Sequence, residues 1–188
     1  YLLVTKQVKF ETKNRLFLGE LSLDGSLRRV SGVLPIALLA KSRGFKEIIL
    51  PAKNTTEASV VEGINIIGVN NLSELVRFLE GKLEIAPAAH LDYADYAQNP
   101  TENEGNEDID LYHIKGQENA KRALTIAAAG GHNILMHGPP GSGKTLLAQA
   151  LAGVIPRMNQ DEAVYVTKIY CICGLIKDEP ILVKRPFR

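Results

Sequence analysis

The chain is poor in cysteine: Cys171 and Cys173 are the only two in 188 residues. A zinc site normally takes four ligands, and a C-x-C pair with no histidine beside it falls short. One intervening residue is also poor spacing for a disulfide. The two thiols therefore read as buried or half-buried groups on a helix, in a reducing and hence cytoplasmic compartment. No apolar run approaches the ~18 residues of a membrane span, so no membrane partner is expected. A basic-then-apolar leader and an initiating Met are both missing. Tyr1-Leu2-Leu3-Val4 looks like the stub of a longer apolar element, and we expect a chain cut at both ends. No internal repeat stands out.

What is present is an ordinary globular composition, 45% hydrophobic, with a net charge of +1. That average hides an asymmetry. Between Asp92 and Asp110 there is no Lys or Arg, but there are seven acids: Asp92, Asp95, Glu102, Glu104, Glu107, Asp108 and Asp110. The rest of the chain holds 22 basic against 14 acidic residues. A mildly basic body is compatible with nucleic acid without indicating it, because solvated helix faces are usually charged. The acidic stretch also carries Gln98-Asn99-Pro100-Thr101 and Gly105-Asn106. It is polar and breaker-rich and reads as a linker. The expected division is 1–85, linker 86–110, and 111–188.

Both flanking segments read as α/β. In the first, Leu16 to Leu23 reads as a strand, Asp24-Gly25 as a turn, and Leu27 to Val30 as extended. Gly32 to Arg43 reads as a helix, with Pro35 in its first turn and Gly44 past its end. Glu47 to Leu50 reads as a buried strand stopped by Pro51, Thr55 to Glu62 as a short helix, and Ile64 to Val69 as a strand. Asn71-Leu72-Ser73-Glu74 has the form of a capping box opening a helix to Glu80. In the second segment a helix is expected over Asn119–Ala129, closed by Gly130-Gly131. Asn159-Gln160-Asp161-Glu162 opens another, with acids in its first turn. It carries Val164, Thr167, Lys168 and Tyr170.

The strongest signal is Gly138-Pro139-Pro140-Gly141-Ser142-Gly143-Lys144-Thr145. It matches G-x-x-x-x-G-K-[ST], the phosphate-binding P-loop. Asn133-Ile134-Leu135-Met136 before it reads as a strand, and the run from Leu146 to Ala152 as a helix. A triphosphate needs many donors without steric walls. Glycines let consecutive backbone N–H groups turn inward, and a helix N-terminus adds a positive end. Lys144 is expected on the β- and γ-phosphates, and the Thr145 hydroxyl on Mg²⁺. The expected ligands are thus ATP and Mg²⁺, held by residues 138–145 together with Leu146. His132 and His137 flank the strand, and His137 stands close enough to the loop to meet a nucleotide. A packed or half-exposed role is the commoner fate of such a histidine.

The double proline of this loop resembles the AAA+ ATPases. Asp110-Leu111-Tyr112-His113-Ile114-Lys115-Gly116-Gln117 is similar to a segment that lies against the adenine base in that family. By that resemblance Ile114 and Gly116 are candidate base contacts; a helix start and a buried apolar anchor are the plainer readings. The first segment resembles the C-terminal half of a Lon-protease-type domain (S5 domain 2-like). It does so through Gly19 to Arg28, Gly32, Gly44-Phe45-Lys46 and Ile48-Ile49-Leu50-Pro51. Lon proteases cleave with a Ser–Lys dyad, the lysine following the hairpin. Here that stretch reads Ser31-Gly32-Val33-Leu34-Pro35-Ile36, without a lysine, so proteolysis is not expected. Ser22, Ser26 and Ser31 read as turn and strand residues.

A Lon-like half-domain, an acidic linker and then an AAA+ P-loop resembles the Mg-chelatase-like AAA+ ATPases of the ComM/YifB type. Phe17 to Gly25, Ile126 to Asn133, Thr167 to Tyr170 and Arg185-Pro186-Phe187-Arg188 each lie close to that pattern. The resemblance implies a cytoplasmic, hexameric ring ATPase, associated in the ComM branch with DNA branch migration in natural transformation. A metal-chelatase motor subunit, a Lon-like ATP-dependent protease, and a truncated nucleotide binder without turnover are the alternatives. Hydrolysis needs a Walker-B carboxylate on Mg²⁺ and commonly an arginine finger. Ile181-Leu182-Val183 is followed by Lys184, with Asp178-Glu179 before it rather than after. No catalytic residue is therefore assigned, and the chain by itself is expected to hydrolyse ATP poorly.

Overall fold

The computed structural model describes residues 2–98, 109–176 and 179–187. Most of the acidic stretch, Asn99 to Asp108, lies outside the described residues, as does Asp178. The chain divides into two compact units: residues 1–96 with 164–181, and residues 97–163 with 182–188. The sequence of residues 160–172 is one helix, whose first residues group with the second unit and the remainder with the first.

The first unit is built on a three-stranded parallel sheet. Strands β1 (Arg15–Phe17), β4 (Glu47–Pro51) and β5 (Asn65–Val69) lie in the order β1-β4-β5. Leu16 stands opposite Ile48, and Ile48 opposite Ile66. A parallel sheet is covered on both faces, so β4 and β5 carry short apolar runs rather than an alternating pattern. Ile49, Ile67 and Val69 share one face with Leu75, Phe78 and Leu79 of α3 (Leu72–Leu79). Ile48, Leu50 and Ile66 fall on the other face by the two-residue period and are also buried. The connecting helices are α1 (Val33–Ser42) and α2 (Thr55–Ala58).

Two expectations change here. The strand expected over Leu16–Leu23 is two strands. β1 pairs in parallel with β4; β2 (Glu20–Leu21) pairs antiparallel with β3 (Leu27–Arg28) across the Asp24-Gly25 turn. The chain leaves one sheet for another at Leu18-Gly19, and a period-two pattern does not register a change of partner. The expected helix to Glu62 ends at Ala58. The hairpin turn is held by Asp24, whose Oδ1 accepts from the Ser26 nitrogen at 3.0 Å and the Ser26 hydroxyl at 2.7 Å. These donors hold the Asp24 carboxyl below the usual carboxylate range.

α3 opens as its sequence predicts. Asn71 Oδ1 accepts the Glu74 N–H at 2.8 Å, while Glu74 Oε2 reaches back to the Asn70 nitrogen at 2.7 Å. The reciprocal half of the box is thus displaced by one residue. After α3 the chain stays on this unit: Ala88 N–H donates to Ile66 O, and Leu91 N–H to Ser59 O. The stretch read as a linker includes a helix, α4 (Tyr93–Gln98).

The second unit contains a 3-10 turn at Leu111–His113, then α5 (Glu118–Gly130) and α6 (Lys144–Val154). Its core joins Ile114, Leu124, Leu147 and Ala150, with Ile109, Ala120, Met136 and Leu151 packed around them. α7 (Gln160–Ile172) starts in this unit with a complete capping box. Asn159 Oδ1 accepts from Glu162 N at 2.8 Å, and Glu162 Oε2 accepts from Asn159 N at 3.1 Å.

The strands expected at 133–136 and Ile181–Val183 are not formed among the described residues. A strand exists only through hydrogen bonds to a neighbour. Neither segment is paired into a sheet among the described residues, although Met136, Ile181 and Val183 are apolar and packed. The fold is thus mixed α/β, with its parallel sheet confined to the first unit.

Candidate functional site

The Gly138–Thr145 loop joins the extended segment 132–139 to α6. Gly141 and Gly143 take φ of 76° and 82°. In this left-handed region an L side chain meets the following carbonyl, so glycine is demanded by conformation and not by crowding. A Cβ on Gly143 would meet nothing within 4 Å. Lys144 follows as the first residue of α6, and Leu147 N–H bonds back to Gly143 O at 2.9 Å.

The Lys144 ammonium lies folded into the loop. Nζ donates to Gly138 O at 2.9 Å, to Pro139 O at 2.8 Å and to the Ser142 hydroxyl at 3.2 Å. An ammonium has three N–H donors, and here all three are engaged. These neutral acceptors hold the cation inside the curve of the loop, where an anion would compete for it. Thr145 and Leu146 are exposed at the start of α6.

Beside the loop is a cleft of about 340 Å³. α5 and the turn before it contribute Gln117, Ala120 and Ala123. The extended segment contributes Ile134 to His137, and the loop and α6 contribute Gly138, Pro139, Ser142, Lys144 and Leu147. None of these is acidic. One wall is apolar and the other carries the lysine, the hydroxyl and the helix N-terminus. α6 has no acid in its first turn to neutralise that end. The donor set and the glycine conformations fit a polyanion with an apolar group attached, so the residues present suit a magnesium nucleotide.

Neither Ile114 nor Gly116, the expected base contacts, is among the residues that line this cleft. Ile114 is buried in the core of the unit with Leu124 and Leu147, and Gly116 is a left-handed turn residue, φ 70°, outside the cleft lining. The polar group from that segment that reaches the cleft is Gln117, itself left-handed at φ 60°. Sequence reasoning passed over it, although a glutamine just past a glycine and just before α5 was a readable signal. Among the described residues no group of His, Cys, Asp and Glu could hold a metal ion. No helix among them is long and apolar enough to cross a membrane.

The first unit has a polar cluster of its own. Glu57, buried on α2, accepts at Oε1 from the backbone nitrogens of Val33 (3.0 Å) and Leu34 (3.1 Å) at the start of α1. Asn54 is fully buried beside it and bonds both backbone groups of Val30. The Cys171 thiol donates to Glu57 Oε1 at 3.4 Å. Burial, first, and then the Glu57 carboxylate push the Cys171 thiol up to about 12. The stretch Ser31–Ile36 thus supplies backbone donors to a carboxylate, and Ser26 is spent on Asp24. No lysine stands among these groups, so the cluster is a helix cap and not a dyad.

Comparison with known proteins matches the family described as "Magnesium chelatase, subunit ChlI" over residues 110–188, and "Subunit ChlI of Mg-chelatase" over residues 1–54. The competence protein ComM of Haemophilus influenzae is 39% identical over 175 residues, covering 92% of this chain and 33% of that protein. The chain belongs to the Mg-chelatase-like family of the ComM/YifB type. The uncharacterized protein YifB of Escherichia coli is 35% identical over 94% of the chain and 34% of its own length. An uncharacterized protein of Mycobacterium tuberculosis is 41% identical over 93% of the chain and 33% of its own length. The chain therefore spans about a third of the length of these relatives.

Proposed function

We propose that this chain carries the nucleotide-binding loop of an AAA+-type ATPase and binds ATP with Mg²⁺ in the cleft beside Lys144. The observation that supports it most is the Lys144 ammonium, held in a loop of left-handed glycines beside a cleft without acids. In the bound state Lys144 exchanges the Gly138 and Pro139 carbonyls for phosphate oxygens. Loop N–H groups and the start of α6 supply further donors, and the Thr145 hydroxyl is a ligand for Mg²⁺. Bound ATP brings the phosphoanhydride; Ile134, Met136, Ala120 and Leu147 offer the apolar wall for its base.

The finer reading extends this. The first unit corresponds to a Lon-like half-domain without its dyad, and the second to the beginning of an AAA+ module. The intact protein is a cytoplasmic homo-oligomeric ring ATPase, hexameric by family likeness. The Lon-like half-domain ahead of the P-loop favours the ComM reading over metal insertion, and work on DNA rests on that family resemblance. Proteolysis is disfavoured because Leu34, in the stretch where the Lon pattern has its lysine, is buried and bonded to Glu57.

The test is equilibrium binding of a fluorescent ATP analogue with Mg²⁺. Lys144→Ala should weaken binding by more than about tenfold, since it removes a charge-assisted contact. Equal affinity of the variant and the wild-type chain would overturn the assignment.

A further inference from the structure

We propose that His137 is a second cationic contact for the phosphates, so that polyphosphate binding in this cleft tightens as pH falls. The inference rests on the nucleotide reading above and deepens it. His137 stands immediately before Gly138 and is among the residues that line the same cleft as Ser142 and Lys144. It is exposed, and no hydrogen bond or ion pair among the described residues engages its ring. The neighbouring His132 is different: its ring lies directly over Gly130, where a Cβ would collide with it.

The surroundings decide the sign. The residue of fixed charge that lines the cleft with His137 is Lys144, from the first turn of α6. Gln117, Ala120 and Ala123, from α5 and the turn before it, are uncharged, as are Ile134, Leu135 and Met136 on its own segment and Ser142 in the loop. A bound triphosphate carries several negative charges, and a protonated imidazole beside it faces oxygens as Lys144 does. Anion binding and protonation of the imidazole therefore favour each other. Imidazole is the side chain whose charge ordinarily changes between pH 5 and 8, so the linkage falls in an accessible range. The ring is also an uncommitted donor, whereas all three Lys144 donors are engaged until an anion displaces their acceptors.

The experiment measures affinity of the full 188-residue chain for the fluorescent ATP analogue with Mg²⁺, at pH 6 and pH 8. Inorganic tripolyphosphate serves as a competitor that lacks a base. Wild type, His137→Gln and His137→Lys are compared. The analogue's own phosphate titration is common to all three and cancels in the ratios. The wild-type advantage over H137Q should rise from near unity at pH 8 to about tenfold at pH 6 for both probes. H137K should keep its advantage over H137Q at both pH values. A wild-type to H137Q ratio that is flat with pH overturns the role of His137. Lys144→Ala at pH 8, where the histidine contributes little, reports separately on the nucleotide reading. Loss of binding there with a flat histidine ratio leaves that reading intact and removes only this inference. Equal binding by wild type and Lys144→Ala removes both.

Discussion

One carboxylate oxygen of Glu57 stands 3.1 Å from the backbone nitrogen of Leu34, and so caps α1 from a different helix. α1 has no side-chain cap of its own, since its N-cap is Gly32. The first N–H groups of a helix have no intrahelical partner, and here they point into the buried interior of the first unit. Glu57→Ala leaves two buried donors unsatisfied and should destabilise the chain by about 2–4 kcal/mol in urea unfolding. Glu57→Gln keeps an acceptor oxygen and should cost less. A Glu57→Ala midpoint matching wild type would show that the cap contributes nothing.

The two cysteines should behave differently. Cys171 is buried against Glu57, whereas Cys173 is exposed just beyond α7. At neutral pH a maleimide should label one thiol quickly, and Cys173→Ser should remove that fast phase. The folded Cys171 thiol holds its proton up to about 12, against 9.0 for the free side chain. Between those values the unfolded chain releases a proton that the folded chain keeps, so stability falls as pH rises from about 9 towards 12. Cys171→Ser should remove that part of the alkaline loss, as read from denaturation midpoints at pH 8 and pH 10.5. An unchanged alkaline slope in the variant would count against the buried thiol.

The start of α7 should be sensitive to acid. The Asn159 N–H, first, and then the Arg185 guanidinium hold the Glu162 carboxyl below its usual 4.5. A lowered value means the contribution is present above about pH 4.5 and is lost as pH falls through the folded value. Glu162→Gln should flatten this acid limb of the stability profile. Asn159→Ala removes the N-cap acceptor and should cost about 1 kcal/mol at pH 7. A cost near zero would mean that solvent replaces the cap.

In the loop, Gly143→Ala tests conformation without adding a clash, because the space around it is open. Holding alanine at φ 82° costs about 1–2 kcal/mol, so the loop should relax away from its present form. Binding of the ATP analogue should fall while the thermal midpoint moves little. Thr145→Ala should instead reduce the gain in affinity that Mg²⁺ confers, leaving metal-free binding unchanged. Equal Mg²⁺ dependence in both proteins would remove Thr145 from the metal.

Local chemistry was legible wherever a side chain acts on its own neighbourhood. Asn71 caps its helix as its spacing suggested, the run from Asn159 opens a helix as expected, and Asp24-Gly25 turns the hairpin. The apolar runs Glu47–Pro51 and Asn65–Val69 form strands because they are short, β-branched and bounded by turns. Reading by local pattern missed what depends on a partner. Residues 133–136 have a strand's composition, yet no described neighbour pairs with them, and Leu135 is 93% exposed. Ile114 was readable as a base contact and as an anchor at once, and its packing on Leu124 and Leu147 bears out the anchor.

The sequence by itself determined the loop: two glycines that must turn left-handed, a lysine and a threonine at fixed spacing, and a helix after them. Those are consequences of backbone sterics within eight residues, and they hold wherever the loop sits. Tertiary structure alone decided what faces it. The cleft brings Gln117 together with Lys144, and the packing of the first unit sets Glu57 across α1 where a local cap is missing. Such pairings join residues distant in the chain, and only the burial of apolar faces against one another fixes which of them meet.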